Sequence, residues 1–329
     1  MQLAIQAGRA VQGTTYPNPP VGCVVLDSAG IVVGAAGTKP AGGAHAEPQA
    51  LAMAGSRARG GTAVVTLEPC NHQGRTPPCT QALIRAGVAR VRYAVADPNP
   101  VASGGTDYLR HEGIDTAGGF GGQQVAEGYL RPWLHWQRTR RPHITLKTAG
   151  TLDGFAAATD RSSQWITGEQ ARAEVHRDRA RRQAIVVGTR TVEIDDPRLT
   201  ARDTHGRDLP AAVQPLRIVV GHSDIASAAR IRGSKFRQIR SRDIDTVVEV
   251  LADMGLIDVL VEGGPRLAQA FLQADAVDAI ESYVAPAFLG AGLSVTRGLE
   301  ATTITDIHRF RTVSVTQLGS DVLIRAVRP

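Results

Sequence analysis

The segment His45-Ala46-Glu47, followed downstream by Pro69-Cys70 and then Cys79, constrains this chain most, because it supplies three soft or borderline metal ligands and one spare carboxylate. Zinc takes imidazole nitrogen and thiolate sulfur readily. Three protein ligands leave the fourth tetrahedral position for a water whose pKa falls to about 7. Glu47 can then move that water's proton. A nucleobase deaminase needs this combination: an activated water to attack an amidine-like ring carbon, and a non-ligand glutamate to protonate the ring nitrogen and the departing amine.

The spacing departs from the usual H-x-E and P-C-x-x-C pattern of such sites, since Asn71 to Pro78 lie between the two cysteines. Gly74, Pro77 and Pro78 suit a fixed turn in which Pro77 or Pro78 opens the next helix, with Cys79 in its first turn. His45 likewise sits at a helix start. Ala44 to Ala54 is rich in helix formers and follows the breaker pair Gly42-Gly43. Pro48 fits such a helix only in its first turn, where a missing N–H has no intrahelical partner. Helix N-termini aimed at the ion would favour bound thiolate. The competing readings are a closed structural zinc site completed by His72, or cysteines that are only buried apolar groups; neither gives Glu47 a reason to lie beside a ligand. Cys23, within Val21 to Leu26, reads as a buried strand cysteine.

At 329 residues the chain fits two domains of ordinary size. A hydrophobic content of 43% is ordinary for globular proteins, and no run approaches the roughly 18 apolar residues of a membrane helix. The first residues lack the basic segment and apolar core of a secretory signal. Three cysteines, two of them assigned to metal, make no disulfide framework, which fits a reducing cytoplasm. The net charge of +6 is compatible with nucleic acid or with small anionic substrates. Arginines cluster at Arg138, Arg140 and Arg141, and at Arg177, Arg179, Arg181 and Arg182, as solvated faces or as phosphate-gripping forks. With aromatics at 4% and none interleaved with these arginines, stacking on single-stranded nucleic acid is disfavoured.

Strand-like and helix-like segments alternate through the first half: a helix over 2–11, a hairpin with arms 21–26 and 31–34, helix 44–54, strand 63–67, helix 79–86 and strand 91–96. A helical stretch over 124–137 is expected to kink or break near Pro132. The cysteine loop therefore falls at a strand-to-helix junction, where open α/β sheets place their sites. The basic run before Pro142 marks a boundary, dividing the chain into 1–141 and 142–329. The second part repeats the rhythm with helix 169–182, strands 184–187 and 216–220, helix 245–254, strand 258–261, helix 266–273 and strand 280–285. Thr167 and Gln170 are expected to form a capping box for the Glu169 helix. Val261-Glu262-Gly263-Gly264-Pro265, between strand and helix, is either a phosphate cradle or glycine used for turn geometry. Lys147 is either an exposed strand lysine or a substrate-facing cation.

Across nearly the whole chain these residues resemble the bifunctional riboflavin-biosynthesis deaminase/reductases. Hallmarks of the first half are Thr15 to Gly22, His45-Ala46-Glu47, Glu68-Pro69-Cys70, Gly74 to Cys79, and Ala96 to Pro100. The second half adds Leu146-Lys147, Ala149 to Gly154, Gln164 to Thr167, Asp195 to Thr200, and Glu262 to Pro265. The resemblance implies a cytidine-deaminase-like three-layer α/β/α domain followed by a dihydrofolate-reductase-like α/β domain. By the same resemblance the first domain hydrolytically removes the 2-amino group of 2,5-diamino-6-(5-phosphoribosylamino)pyrimidin-4-one, with His45, Cys70 and Cys79 on Zn2+, Glu47 moving protons, and Asn18, His72 and Arg75 on the base. Asp97 and Asn99 would follow the phosphoribosyl part. The second domain would then reduce ribosyl to ribityl with NADPH.

In that reductase the resemblance puts Lys147, Ser163, Arg179, Leu199, Arg202 and Glu262 on the substrate side, and Ala149, Trp165, Thr191, Asp195, Ser223 and Gly264 on the cofactor side. Arg179 and Arg202 suit a 5'-phosphate, although Arg179 is one of several helix arginines and Leu199 also reads as core. Departures from the family pattern include Pro48 and Arg190. The implied protein is a cytoplasmic homo-oligomer, dimer or tetramer, acting on a phosphorylated pyrimidine and binding neither nucleic acid nor membrane. A nucleoside or tRNA deaminase with an accessory domain, and a basic RNA-binding protein with structural zinc, both leave the reductase-like second half unexplained.

Overall fold

The computed structural model describes residues 1–329 except Arg75 and Glu300. The chain divides into two compact units, Met1–Arg140 and Arg141–Pro329. Among the described residues no helix is long and apolar enough to cross a membrane.

The first unit runs α1 (Gln2–Ala10), β1 (Gly22–Leu26), β2 (Val32–Gly37), α2 (Ala46–Ala54), β3 (Thr62–Leu67), α3 (Cys79–Ala86), β4 (Arg90–Val95), α4 (Gly105–His111), β5 (Asp115–Ala117), α5 (Gly122–Ala126) and α6 (Arg131–Thr139). Its sheet has the order β2-β1-β3-β4-β5, with β1 antiparallel to both neighbours and β3, β4 and β5 parallel. The β1–β2 turn is held by Asp27, whose Oδ1 accepts the N–H groups of Ala29 at 3.0 Å and Ile31 at 2.9 Å. Every residue of β3 is buried, so its apolar run delivers Glu68, Pro69 and Cys70 to one edge of the sheet. Helix α2 lies close against β2: a Cβ on Gly34 would stand 2.1 Å from the Ala50 carbonyl oxygen, an approach that only glycine permits. Cys23 is buried in β1, as the apolar strand around it requires. The break expected near Pro132 comes earlier. Residues 127–130 separate α5 from α6, and Pro132 occupies the first turn of α6, a position that tolerates proline.

The second unit runs β6 (His143–Thr151), β7 (Phe155–Ala157), α7 (Glu169–Arg179), β8 (Ala184–Gly188), α8 (Thr189–Asp195), β9 (Leu216–Val220), β10 (Phe236–Ile239), α9 (Ile244–Asp253), β11 (Asp258–Val261), α10 (Pro265–Gln273), β12 (Ala279–Ala285), β13 (Leu293–Ser294), β14 (Arg311–Leu318) and β15 (Asp321–Val327). The large sheet has the order β10-β9-β8-β11-β6-β12-β15-β14; the first six strands are parallel, and β15 and β14 close it antiparallel. Ile144, Val186, Ile218 and Val259 of the sheet pack against Val247, Leu251 and Phe271 from α9 and α10. These parallel strands read as apolar runs because both faces are covered.

Two expectations for α7 are corrected. No capping box forms: the N-cap is Gly168, without a side-chain cap, and its N–H donates to Asp321 Oδ2 at 2.6 Å. A long-range carboxylate displaces the local hydroxyl. The helix also stops at Arg179, and Arg182 beyond it is neither a solvated-face residue nor a phosphate fork. Its buried guanidinium donates to Asp178, to Asp258 and to Glu281, each at 3.0 Å. Three carboxylates thus surround one cation where α7, β11 and β12 meet.

Candidate active site

Helix α2 begins at His45, its N-cap, which places Glu47 and Pro48 in the first turn, where Pro48 costs no hydrogen bond. Helix α3 begins with Cys79 after the N-cap Pro78. Two helix starts and the loop after β3 bring the donor atoms of His45, Cys70 and Cys79 within 4.8 Å of one another. His45 Nδ1 lies 3.3 Å from the Cys79 sulfur and 3.6 Å from that of Cys70. A tetrahedral ion with bonds of about 2.3 Å to sulfur and 2.0–2.1 Å to nitrogen requires N···S edges of about 3.6 Å, so the donor set fits zinc. The other imidazole nitrogen, Nε2, lies 3.4 Å from Thr76 Oγ1, which fixes which ring nitrogen faces the sulfurs.

The electrostatics of the group agree with cation binding. The hydrogen bond from Cys79, followed by that from His45, draws the Cys70 thiol down to about 4, while its bond to Cys70, together with burial, pushes Cys79 far up. A divalent cation would bind the thiolate forms and displace their protons. The Cys70 sulfur also raises His45. Burial, then the negative Cys70 sulfur, pushes the Glu47 carboxyl up to about 7, in the range of a proton shuttle. Glu47 is 3% exposed and hydrogen-bonds Cys79.

Around these groups lies a cavity of about 320 Å³, lined by Asn18, His45, Glu47, Cys70, His72, Asp97 and Asn99 among others. Of the first-unit residues expected to act at the site, Asn18, His45, Glu47, Cys70, His72, Asp97 and Asn99 border it; Cys79 is fully buried and does not, and Arg75 lies outside the described residues. His72 lines the cavity and is absent from the ligand cluster, so a closed four-ligand structural site does not form among the described residues. Sequence reasoning gave no role to Thr76, Glu68, Trp133 or Gln137, which also line it. Glu68 carried a usable signal: a carboxylate ending a fully buried strand must find hydrogen-bond donors. None of the described lining residues is lysine or arginine.

In the second unit the parallel register aligns Val261 with Leu146, so Glu262, just past the end of β11, follows beside Lys147 in the middle of β6. Arg179 from α7 grips Glu262 with both arms, Nε to Oε1 at 2.7 Å and Nη2 to Oε2 at 2.8 Å. Burial alone would raise the Glu262 carboxyl, but Arg179, aided by Lys147, holds it below the usual carboxylate range. Lys147 is lowered by burial, and its Nζ lies 5.7 Å from the Tyr283 ring centre. The Thr200 carbonyl gathers His176 Nδ1 at 3.1 Å and Arg179 Nη1 at 3.4 Å, and Arg202 reaches the Thr200 hydroxyl at 3.3 Å and Asp208 at 3.4 Å. Lys147, Arg179, Arg202 and Glu262 are therefore brought together, with His176 and Tyr283 as members that sequence reasoning missed.

The remaining second-unit residues are more dispersed. Thr191 and Gly264 are neighbours: a Cβ on Gly264 would meet only Thr191 Oγ1, at 3.8 Å, and one on Gly188 would meet nothing within 4 Å. The starts of α8 and α10 are thus open to a phosphate. Trp165 is 69% exposed, with the Arg172 guanidinium 4.6 Å from its ring centre. Ser163, Asp195 and Ser223 are exposed, and half-buried Ala149 packs beside Tyr283. Leu199 takes the core alternative: its side chain is buried with Ile185, Val192 and Val219, leaving chiefly its backbone for a ligand.

Residues 142–324 match the family described as RibD C-terminal domain, and residues 1–95 match the cytidine and deoxycytidylate deaminase zinc-binding region. The chain is 50% identical over 329 residues to the riboflavin biosynthesis protein RibD of Mycobacterium tuberculosis, covering 99% of this chain and 96% of the relative. It is 38% identical over 366 residues to the Escherichia coli protein of that name, covering 99% and 98%. Among solved structures, Acinetobacter baumannii RibD, form 1, superposes with a TM-score of 0.89 at 34% identity, covering all of this chain and 97% of the other. A Thermotoga maritima diaminohydroxyphosphoribosylaminopyrimidine deaminase/5-amino-6-(5-phosphoribosylamino)uracil reductase gives 0.87 at 30% identity, with 100% and 97% covered.

Proposed function

The chain belongs to the RibD family of bifunctional riboflavin-biosynthesis enzymes, and we propose that its residues divide the work at the expected boundary, 1–141 deaminating and 142–329 reducing. The observation that carries this reading is the convergence of His45, Cys70 and Cys79 with buried Glu47 at the bottom of one cavity. Zinc held by the three ligands supplies a water that ionises near neutrality. Glu47 holds and passes protons to the ring nitrogen and the departing amine through its carboxylate, whose environment keeps it ready to do both. Asn18 and His72 orient the diaminopyrimidinone base, and Asp97 and Asn99 border its phosphoribosyl substituent. An uncharged base suits this cavity, whose described lining holds no lysine or arginine, and Arg75, outside the described residues, is assigned to the base with Asn18 and His72.

The reductase is NADPH-dependent, and the cofactor supplies the hydride. Lys147, Ser163, Arg179, Leu199, Arg202 and Glu262 form its substrate side. Lys147 and Glu262 hold the sugar, and Arg202 takes the 5'-phosphate, with Arg179 fixing Glu262. Ala149, Trp165, Thr191, Asp195, Ser223 and Gly264 form the cofactor side, its phosphates at the open starts of α8 and α10. The enzyme works in the cytoplasm as a homo-oligomer, dimer or tetramer, without nucleic acid. The edge strand β14 supports a second copy: Val313 and Val315 are 41% and 64% exposed on it.

Supplying the diaminopyrimidinone phosphate together with NADPH tests the whole reading. Ammonia release, NADPH oxidation that depends on the deaminated product, and a ribityl product are expected. A folded, zinc-loaded sample that releases no ammonia refutes it.

A further inference from the structure

Glu68 is buried at the end of β3, two residues before Cys70, yet neither the metal group nor the proton shuttle uses it. Its carboxylate accepts two backbone N–H groups from distant parts of the chain: Thr106 on Oε1 at 2.9 Å and Asp97 on Oε2 at 3.2 Å. Its own N–H donates to Val95 at 2.8 Å. Between those two anchors runs the loop of Asp97 and Asn99, which forms one wall of the cavity. The loop is internally braced, Asp97 Oδ1 accepting the Asn99 N–H at 2.9 Å and the Asn99 carbonyl accepting that of Ala102 at 2.9 Å. It is also tied to the metal side, where the Asn71 N–H donates to the Ala102 carbonyl at 3.0 Å. Helix α4, which ends the loop, presses against the cysteine segment: a Cβ on Gly105 would stand 1.9 Å from the Pro69 carbonyl oxygen.

We propose that Glu68 is a positioning residue of the deaminase, a two-armed clamp whose carboxylate sets the distance between the metal-bearing strand end and the wall that borders the phosphoribosyl substituent. Each oxygen already serves a backbone amide, so Glu68 acts through Asp97 and Asn99. Only a carboxylate can do this at that place. Glutamine offers one acceptor oxygen and would turn an NH2 group toward the second amide, opposing donor to donor. An apolar substitute would leave both amides buried and unpaired. The proposal rests on the assignment of this cavity to the diaminopyrimidinone phosphate.

The test is Glu68→Gln in the full-length, zinc-loaded enzyme. We expect the deaminase KM to rise about tenfold, as the loss of one charge-assisted bond implies, with kcat within about threefold of wild type. Zinc content and the reductase rate should not change, and amide hydrogen exchange in a peptide spanning 96–106 should quicken. The reductase serves as the folding control, and exchange reports the clamp even where turnover is too slow to follow. An unchanged KM, a fall confined to kcat, or loss of zinc would each overturn the proposal. Failure of the underlying assignment would look different: the unmutated enzyme would release no ammonia.

Discussion

The two candidate sites hold different donor sets in opposite electrostatic conditions: histidine and thiols in the first, arginine, lysine and a carboxylate in the second. In the first unit the donor atoms of His45, Cys70 and Cys79 face one another within 4.8 Å, an arrangement that calls for a cation. In the second, opposite charges already meet: Arg179 is locked onto Glu262. The difference suits the chemistry. A hydrolytic site must recruit a metal and ionise water, whereas a hydride-transfer site receives its reactive group with the cofactor and needs the protein to hold two ligands in register. Clustered metal-ligating donors therefore mark the first site, and a closed ion pair the second.

The largest expected effect breaks the comparison on the deaminase side. Glu47→Gln should lower deamination by about 10²–10⁴-fold, the usual contribution of a general acid–base group, while zinc and the NADPH-dependent rate remain. Ammonia release and metal analysis on one preparation decide it; unchanged turnover removes Glu47 from the mechanism. Next comes a stability effect in the other unit. Arg182→Met removes the buried cation that Asp178, Asp258 and Glu281 share, and denaturant unfolding should show a loss of about 3–5 kcal/mol. A loss below about 1 kcal/mol would mean that the ion cluster is not buried as described.

A smaller effect sharpens the contrast between the two sites. Glu262→Gln should cost about 1–3 kcal/mol at neutral pH and raise the reductase KM, because Arg179 loses its charged partner. The pH dependence has a definite sign. A carboxyl whose pKa is lower in the folded than in the unfolded chain contributes stability above its unfolded value, about 4.3, and loses it as pH falls through the folded value. The stability gap between wild type and variant should thus stay level from neutrality to about pH 5 and close below about pH 4. A gap that closes near neutrality would contradict the Arg179–Glu262 pairing.

Legibility followed sequence distance. His45 and Glu47 are two residues apart and open a helix, and Cys79 opens another, so ligand identity and local geometry could both be read from short motifs. Glu262 and Arg179 are separated by 83 residues, and their pairing exists only because the fold brings the end of α7 to the end of β11. Nothing local to Arg182 distinguishes it from Arg181, which is partly exposed. Strand β14 is illegible because it alternates threonine, valine and serine along an almost wholly exposed edge, giving neither an apolar run nor a clear face. The capping box failed for a related reason: Asp321, 153 residues away, reaches the start of α7 first.

What the sequence determined by itself was the chemistry available: a metal-binding triad with an adjacent carboxylate, a two-part α/β chain, and a second half patterned for a reductase. Ligand type and helix starts are encoded within a few residues, where short-range sterics and hydrogen bonding dominate. The tertiary structure alone decided which charges are spent on one another and which stay free for ligands. Burial and long-range pairing set that outcome, and both depend on strands and helices that meet only in the folded chain.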